Sequence, residues 1–236
     1  NQKINFSQIK NYINLINKKK RKEPVSLIEK KRFFWDSNFL VNRDVLTPRF
    51  ETELLVQEIL KIYKFSKKIR ILDVGTGSGC ILISLLKEKK KWAGVGIDIS
   101  LKSIKTAKTN AKIQQVSNRI RLIKSDIDKF FNGKYDLIVS NPPYINNIDY
   151  NNLDVEVKDY EPKIALYGGI DGYSVIEKVI KKSKLILKTN GLLAMEFGLG
   201  QNYKTKELLK NNGFYISKII KDYQNITRCI IARKIK

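Results

Sequence analysis

Ile69-Arg70-Ile71-Leu72-Asp73-Val74, running directly into Gly75-Thr76-Gly77-Ser78-Gly79, is the stretch on which the fold turns. An apolar run of this length reads as a buried strand, and the periodicity after it as an amphipathic helix over 79–89. Glycines between a strand and a helix let the backbone approach a ligand where side chains would block it. The spacing Gly-x-Gly-x-Gly differs from the Gly-x-Gly-x-x-Gly of dinucleotide folds, and no second pyrophosphate motif accompanies it.

Downstream, the chain alternates: strand 93–98, helix 101–115, strands 120–124 and 135–140, helix 172–187, strand 192–197. Such alternation predicts an α/β fold, a mostly parallel sheet with helices on both faces. Helix 202–211 and strands 214–220 and 227–232 finish it. The link between the last two strands is too short for a parallel crossover, so the seven-stranded sheet should end in an antiparallel hairpin.

Upstream, Phe6, Ile9, Tyr12, Ile13 and Ile16 give a helix over 6–20 one apolar face, read as a packing face. Arg32 to Trp35 and Phe39 to Val41 read as two short strands around a turn at Asp36-Ser37-Asn38. Thr47 or Pro48 should start a helix continuing through Leu54, Leu55, Ile59 and Ile62, with Glu51 and Glu53 at its positive end. The expected organisation is an N-terminal helix and β-hairpin extension over 1–44 and a main domain over 45–236.

At 236 residues and 42% hydrophobic content, the chain can bury one full core. No window reaches the roughly 20 apolar residues of a membrane span and no leader opens the chain, so the expectation is a cytoplasmic protein with no membrane partner. Two cysteines and no histidine exclude a Cys/His zinc site, a disulfide framework and histidine acid–base chemistry, and no metal is expected. The net charge of +23 would attract polyanions. Yet only nine of the 46 basic residues are arginine, and the lysines are scattered through the chain, so charge alone does not separate a nucleic-acid footprint from compositional background.

Three strand ends carry acids: Asp73, Asp98 and Asp126. Asp98 lies 19 residues beyond Gly79, where a carboxylate can accept ribose hydroxyls. Asp126 can accept an adenine amino group or cap a helix. Asn141-Pro142-Pro143-Tyr144 ends the apolar run 135–140. Two prolines restrict that turn, so the Asn141 side-chain oxygen and the Pro142 carbonyl can point at the two hydrogens of one NH2 group, with Tyr144 packing on a flat acceptor. A place for a nucleoside beside a place for an amide or amine suggests methyl transfer from S-adenosylmethionine to nitrogen, leaving S-adenosylhomocysteine.

With these motifs the chain resembles the HemK/PrmC family, N5-glutamine methyltransferases of peptide chain release factors. The resemblance runs through Val45 to Glu53, Leu72 to Gly79, Ser140 to Tyr144, Tyr160-Glu161-Pro162 and Ala165 to Gly169 with Asp171-Gly172, and reaches Asp222-Tyr223 and Arg228. It implies a Rossmann-like class I S-adenosylmethionine-dependent fold. It also implies cofactor contacts at Gly75, Thr76, Gly77, Ser78, Gly79, Asp98, Ile127 and Asn141. Asn141 to Tyr144 would hold the glutamine of a Gly-Gly-Gln loop, with Arg49 and Glu51 nearby. Class 1 release factors would be the partners, with nucleic acid not required. The glycine and Asn-Pro-Pro-Tyr motifs also occur in enzymes methylating adenine or guanine amino groups of RNA or DNA, which is the alternative. The chain differs from the family pattern at Lys30, Phe50 and Ile127, where glycine, proline and often an aromatic are usual. Before Val45 it has room for about one helix, where the family usually carries several.

Overall fold

Apolar residues alternate along the central strands, and that alternation builds two cores, one on each face of one sheet. In the computed structural model, residues 5–65 and 68–235 are described. The chain opens with helices α1 (Phe6–Lys20) and α2 (Val25–Ile28), the hairpin β1 (Lys31–Phe34) and β2 (Ser37–Leu40), and helix α3 (Phe50–Ile62). Then come β3 (Arg70–Val74), α4 (Cys80–Glu88), β4 (Ala93–Asp98), α5 (Leu101–Ile113), β5 (Ile120–Lys124) and β6 (Tyr135–Ser140). Three short helices follow, α6 (Asn147–Asn151), α7 (Val155–Lys158) and α8 (Lys163–Leu166). The chain finishes with α9 (Ser174–Ile186), β7 (Leu187–Glu196), α10 (Asn202–Asn211), β8 (Phe214–Lys221) and β9 (Thr227–Lys234).

The sheet order is β5-β4-β3-β6-β7-β9-β8, parallel from β5 through β7 and antiparallel for the last two pairings. Ile71, Leu137, Val139, Leu192 and Ala194 face one core with α3, α4 and the hairpin residues Phe34 and Phe39. Leu72, Val74, Ile138, Leu193 and Met195 face the other, against α9 and α10. From β3 the chain winds outward to β5, then returns to place β6 on the other side of β3. That reversal opens a crevice between the C-terminal ends of neighbouring strands.

Several expectations from the sequence shift in the fold. The helix expected from Thr47 or Pro48 begins at Phe50, because Arg49 is still extended (ψ 146°) and serves as its N-cap. The hairpin turn is Trp35-Asp36, with Ser37 and Asn38 already paired to Phe34 and Phe33. Trp35 takes φ +58°, and its N–H donates to Glu53 Oε1 at 3.0 Å, so α3 steadies the turn. The segment between Tyr144 and Gly172, to which periodicity assigns no element, holds α6 to α8, each too short to show a repeat. The packing expected of α1 is absent: no residue of α1 is buried, and Phe6 and Tyr12 are 82% and 65% exposed. Lys19 on α1 pairs with Glu156 at 2.7 Å.

Lys30 follows α2 in the left-handed region at φ +56° with an exposed side chain. A Cβ is strained there and glycine is not. Lys30→Gly should therefore stabilise the fold by about 1 kcal/mol. The check is an upward shift of the urea midpoint with unchanged m; an unchanged or lower midpoint would contradict it.

Candidate active site

β3 and β6 flank the reversal of strand order, so the loops leaving their C-terminal ends meet in one cleft. On the β3 side, Gly75 and Thr76 both donate backbone N–H to Ile97 O, at 2.9 and 3.0 Å, which bends the loop across the end of β4. Gly75 and Gly77 sit at φ +72° and +55°, and a Cβ at Gly75 would meet nothing within 4 Å. These two glycines face open space in the cleft. Gly79 is needed for packing instead. A Cβ there would lie 2.7 Å from Ile83 Cδ1 and 3.3 Å from Ala107 Cβ, so its bareness lets α4 and α5 approach. One motif thus combines two reasons for glycine.

Asp73 lies beneath this loop, buried and outside the cleft lining, with Oδ2 accepting the Thr76 hydroxyl at 2.7 Å. Burial, reinforced by nearby Asp98, pushes its carboxyl up to about 7. Ser78 O accepts from the buried Asn110 Nδ2 at 2.8 Å, and the same Nδ2 donates to Leu40 O at 3.0 Å. Asn110 also accepts Leu40 N–H at 2.8 Å, so one α5 side chain ties the N-terminal hairpin to the glycine loop.

Asp98 ends β4 and lines the cleft. Its Oδ2 accepts Gly77 N–H at 3.0 Å and its Oδ1 accepts Ser100 N–H at 2.9 Å, which aims the carboxylate, while burial raises its pKa. A carboxylate has about four lone-pair sites, so acceptor capacity remains. Asp126 and Ile127 line the same cleft. Asp126 caps the short 3₁₀ turn Ile127–Lys129, its Oδ1 accepting Asp128 N–H at 3.0 Å, and the Ile127 side chain packs into the core shared with α9.

On the β6 side, Asn141, Pro142 and Pro143 line the cleft, and Asn141 Nδ2 donates to Thr52 Oγ1 on α3 at 3.2 Å. The Thr52 hydroxyl donates to Glu196 Oε2 at 2.6 Å, and Tyr144 OH donates to Glu196 Oε1 at 3.3 Å. Glu196, at the end of β7, is 2% exposed, and burial pushes its carboxyl up to about 7. The backbone of Tyr144 is held as well, its carbonyl accepting Gln201 Nε2 at 3.0 Å. A Cβ at Gly168 would lie 2.7 Å from Pro143 O and 2.8 Å from Tyr144 Cα, and one at Gly198 would lie 2.9 Å from Tyr144 Cδ2. Glycines from two later segments therefore let the backbone close around the Asn-Pro-Pro-Tyr turn.

Arg49 lines the cleft and pairs with Glu161 Oε2 at 2.7 Å, which joins two stretches 112 positions apart. Glu161 is buried and its carboxyl is raised chiefly by that burial, with Arg49 pulling the other way. Glu51, Asp73, Gly79 and Tyr144 do not line the cleft. Glu51 lies in the electrostatic surroundings of Glu196 and of Arg228, whose Nε donates to Asp222 Oδ2 at 2.8 Å. Sequence reasoning does not single out Thr52, Glu196 or Gln201. Their signal is weak: Thr52 lies inside a helix, and Glu196 is one acid at the end of an apolar run.

Comparison with known proteins bears on the family and the fold. A protein-family profile, Methyltransferase small domain, matches residues 50–156. The chain is 34% identical to a release factor glutamine methyltransferase of Thermodesulfovibrio yellowstonii over 100% of its own length and 85% of the relative's. It is also 34% identical to a bifunctional methyltransferase of Rickettsia prowazekii, over 98% of its own length but only 48% of the relative's, so it spans about half of that protein. Among solved structures, a methyltransferase from Pyrococcus furiosus superposes with a TM-score of 0.61 at 18% identity, covering 93% of this chain and 99% of that one. Identity that low speaks for a shared fold and no more.

Proposed function

Because the chain belongs to the HemK/PrmC family of release factor glutamine methyltransferases and has the Rossmann-like class I methyltransferase fold, we propose that it methylates the side-chain nitrogen of a glutamine in the Gly-Gly-Gln loop of class 1 peptide chain release factors. The observation that carries the reading is the convergence in one cleft of the glycine loop, Asp98 and the Asn141-Pro142 turn. The residues there suit S-adenosylmethionine. Gly75 leaves open the space a Cβ would fill, and Asp98 is an acceptor already aimed by two backbone N–H groups. When bound, S-adenosylmethionine supplies a methyl group activated by its sulfonium.

The chain's own contribution is alignment. Gly75 to Ser78 would line the nucleoside's path, Asp98 would accept ribose hydroxyls, and Asp126 with Ile127 would bound the adenine. Asn141 already gives its Nδ2 to Thr52, so its Oδ1 is the atom left to accept one hydrogen of the glutamine NH2. The Pro142 carbonyl would accept the other. Two such acceptors fix the nitrogen and favour its pyramidal form as the new N–C bond develops. The proton lost from nitrogen passes to solvent. Pro143 would flank the acceptor, with Tyr144 behind the lining and held by Glu196, Arg49 at the cleft wall and Glu51 further out beside Arg228. Residues 1–44 would serve as an extension to the main domain, and the setting would be the cytoplasm. Among the described residues, no helix is long and apolar enough to cross a membrane.

Asp98→Ala should raise the dissociation constant for S-adenosylmethionine at least about tenfold, since a charged hydrogen bond is worth roughly 1.5–3 kcal/mol. An unchanged constant by calorimetry would move the ribose elsewhere. The activity itself is tested by mass spectrometry of an unmethylated release factor incubated with the protein and cofactor, beside total tRNA and rRNA. One methyl group on the Gly-Gly-Gln glutamine is expected. Incorporation into RNA alone would favour the nucleic-acid reading, which the charge of +23 motivates.

A further inference from the structure

The Thr52 hydroxyl carries one proton, and its surroundings decide where that proton points. Thr52 Oγ1 lies 2.6 Å from Glu196 Oε2, and above the raised pKa of about 7 the ionised Glu196 carboxylate has only lone pairs to offer. The proton therefore points at Glu196. Toward Asn141, 3.2 Å away on the other side, Thr52 presents a lone pair, and only an N–H can meet it. A flipped Asn141 amide would set oxygen against oxygen. Tyr144 OH donates to the other oxygen of the same carboxylate, so both of its oxygens are engaged by donors.

We propose that Thr52, held by the buried Glu196, is a positioning residue that selects one orientation of the Asn141 amide, with Nδ2 inward and Oδ1 toward the methyl acceptor. The inference rests on the reading of Asn141 as the clamp on the acceptor nitrogen. Neither residue needs to touch substrate. The relay spans three elements, α3, β7 and the end of β6, so the clamp is correctly set only when the sheet and α3 are docked. Without that hydrogen bond the flipped orientation, which presents NH2 to NH2, becomes accessible and the amide is no longer held for the reaction.

Three variants test this. Thr52→Val keeps the shape and removes the hydroxyl; kcat should fall about 10- to 100-fold, the worth of a charge-assisted hydrogen-bond arrangement, while KM for the release factor and the cofactor dissociation constant stay within about twofold. Thr52→Ser restores the hydroxyl and should bring kcat to within about threefold of wild type. Glu196→Gln still offers an oxygen to Thr52 and should keep kcat within about fivefold. Unchanged turnover in Thr52→Val, or a serine variant no better than the valine one, would overturn the relay. A glutamine variant as poor as Thr52→Val would overturn the part given to Glu196.

A second readout needs no substrate. In ¹⁵N spectra of the free protein, the Asn141 side-chain NH2 pair should show one proton shifted and slow to exchange in wild type and Thr52→Ser. In Thr52→Val it should take the values of a solvent-exposed asparagine. An Asn141 signal insensitive to Thr52→Val would reject the proposal whatever the substrate. A protein that methylates no release factor but shows the expected amide signal would instead reject the substrate reading alone.

Discussion

Asn141→Ala should lose turnover by about 10²- to 10³-fold, the typical loss on removing a polar group aimed at the transition state. S-adenosylmethionine should still bind with nearly the wild-type constant, because Asp98 and the glycine loop, on the β3 and β4 side, are untouched. Two effects combine in the variant. The acceptor oxygen aimed at the nitrogen disappears, and the Thr52 hydroxyl loses the donor that it holds at 3.2 Å. Single-turnover kinetics with saturating release factor would read the chemical step, and calorimetry the cofactor. Turnover equal to wild type would remove Asn141 from the reaction, and a cofactor constant raised as far as in Asp98→Ala would make it a cofactor residue instead.

Gly172→Ala is expected to be damaging in a different way. Gly172 lies at φ +80°, and a Cβ there would press into the Tyr144 carbonyl while standing 2.8 Å from Gln201 Nε2 and 3.3 Å from Asn146 N. Positive φ alone costs of the order of 1 kcal/mol for alanine, and the backbone clash adds overpacking, for roughly 2–4 kcal/mol in all. The same push displaces the turn that carries Asn141, so turnover should fall by about 10²-fold even where the protein remains folded. Gly200→Ala supplies the control. Gly200 has the same φ of +80°, but a Cβ there meets nothing within 4 Å, so only the strain of the backbone remains. Urea midpoints and kcat for the pair would separate strain from contact. Equal losses in the two variants would mean that Gly172 is a turn residue with no part in closing the site.

Much of this was legible in the chain. The strands at 93–98, 120–124 and 135–140 and the helix 202–211 agree with the structure to the residue, because their boundaries are marked by a change of hydrophobic period, which is a local property. The family was legible for a related reason: it rests on short contiguous motifs. Boundaries that depend on a distant partner were harder. Trp35 turns where Glu53 receives its N–H, and β7 begins at Leu187 because β6 lies beside it, neither of which periodicity can report. For α1 the difference runs the other way. Its apolar spacing predicts packing, yet in the fold those side chains remain exposed, since an amphipathic pattern specifies a face and not what covers it.

The same division runs through the site. Gly75 to Gly79, Asp98 and Asn141-Pro142-Pro143-Tyr144 announce themselves by residue type at short spacing, and the order of strands then gathers most of them at one edge. By itself the sequence determined the α/β class, from strand and helix periods alternating along the chain, and the glycine loop and the Asn-Pro-Pro-Tyr turn, each written within about ten consecutive residues whose conformational preferences are local. Only the tertiary structure decided that Asp73 braces the loop from below, that Gly79 serves helix packing, and that Thr52 and Glu196, 144 positions apart, meet behind Asn141. A buried carboxylate is tolerated only where donors from other segments reach it, and which segments those are is settled by how the sheet and helices pack.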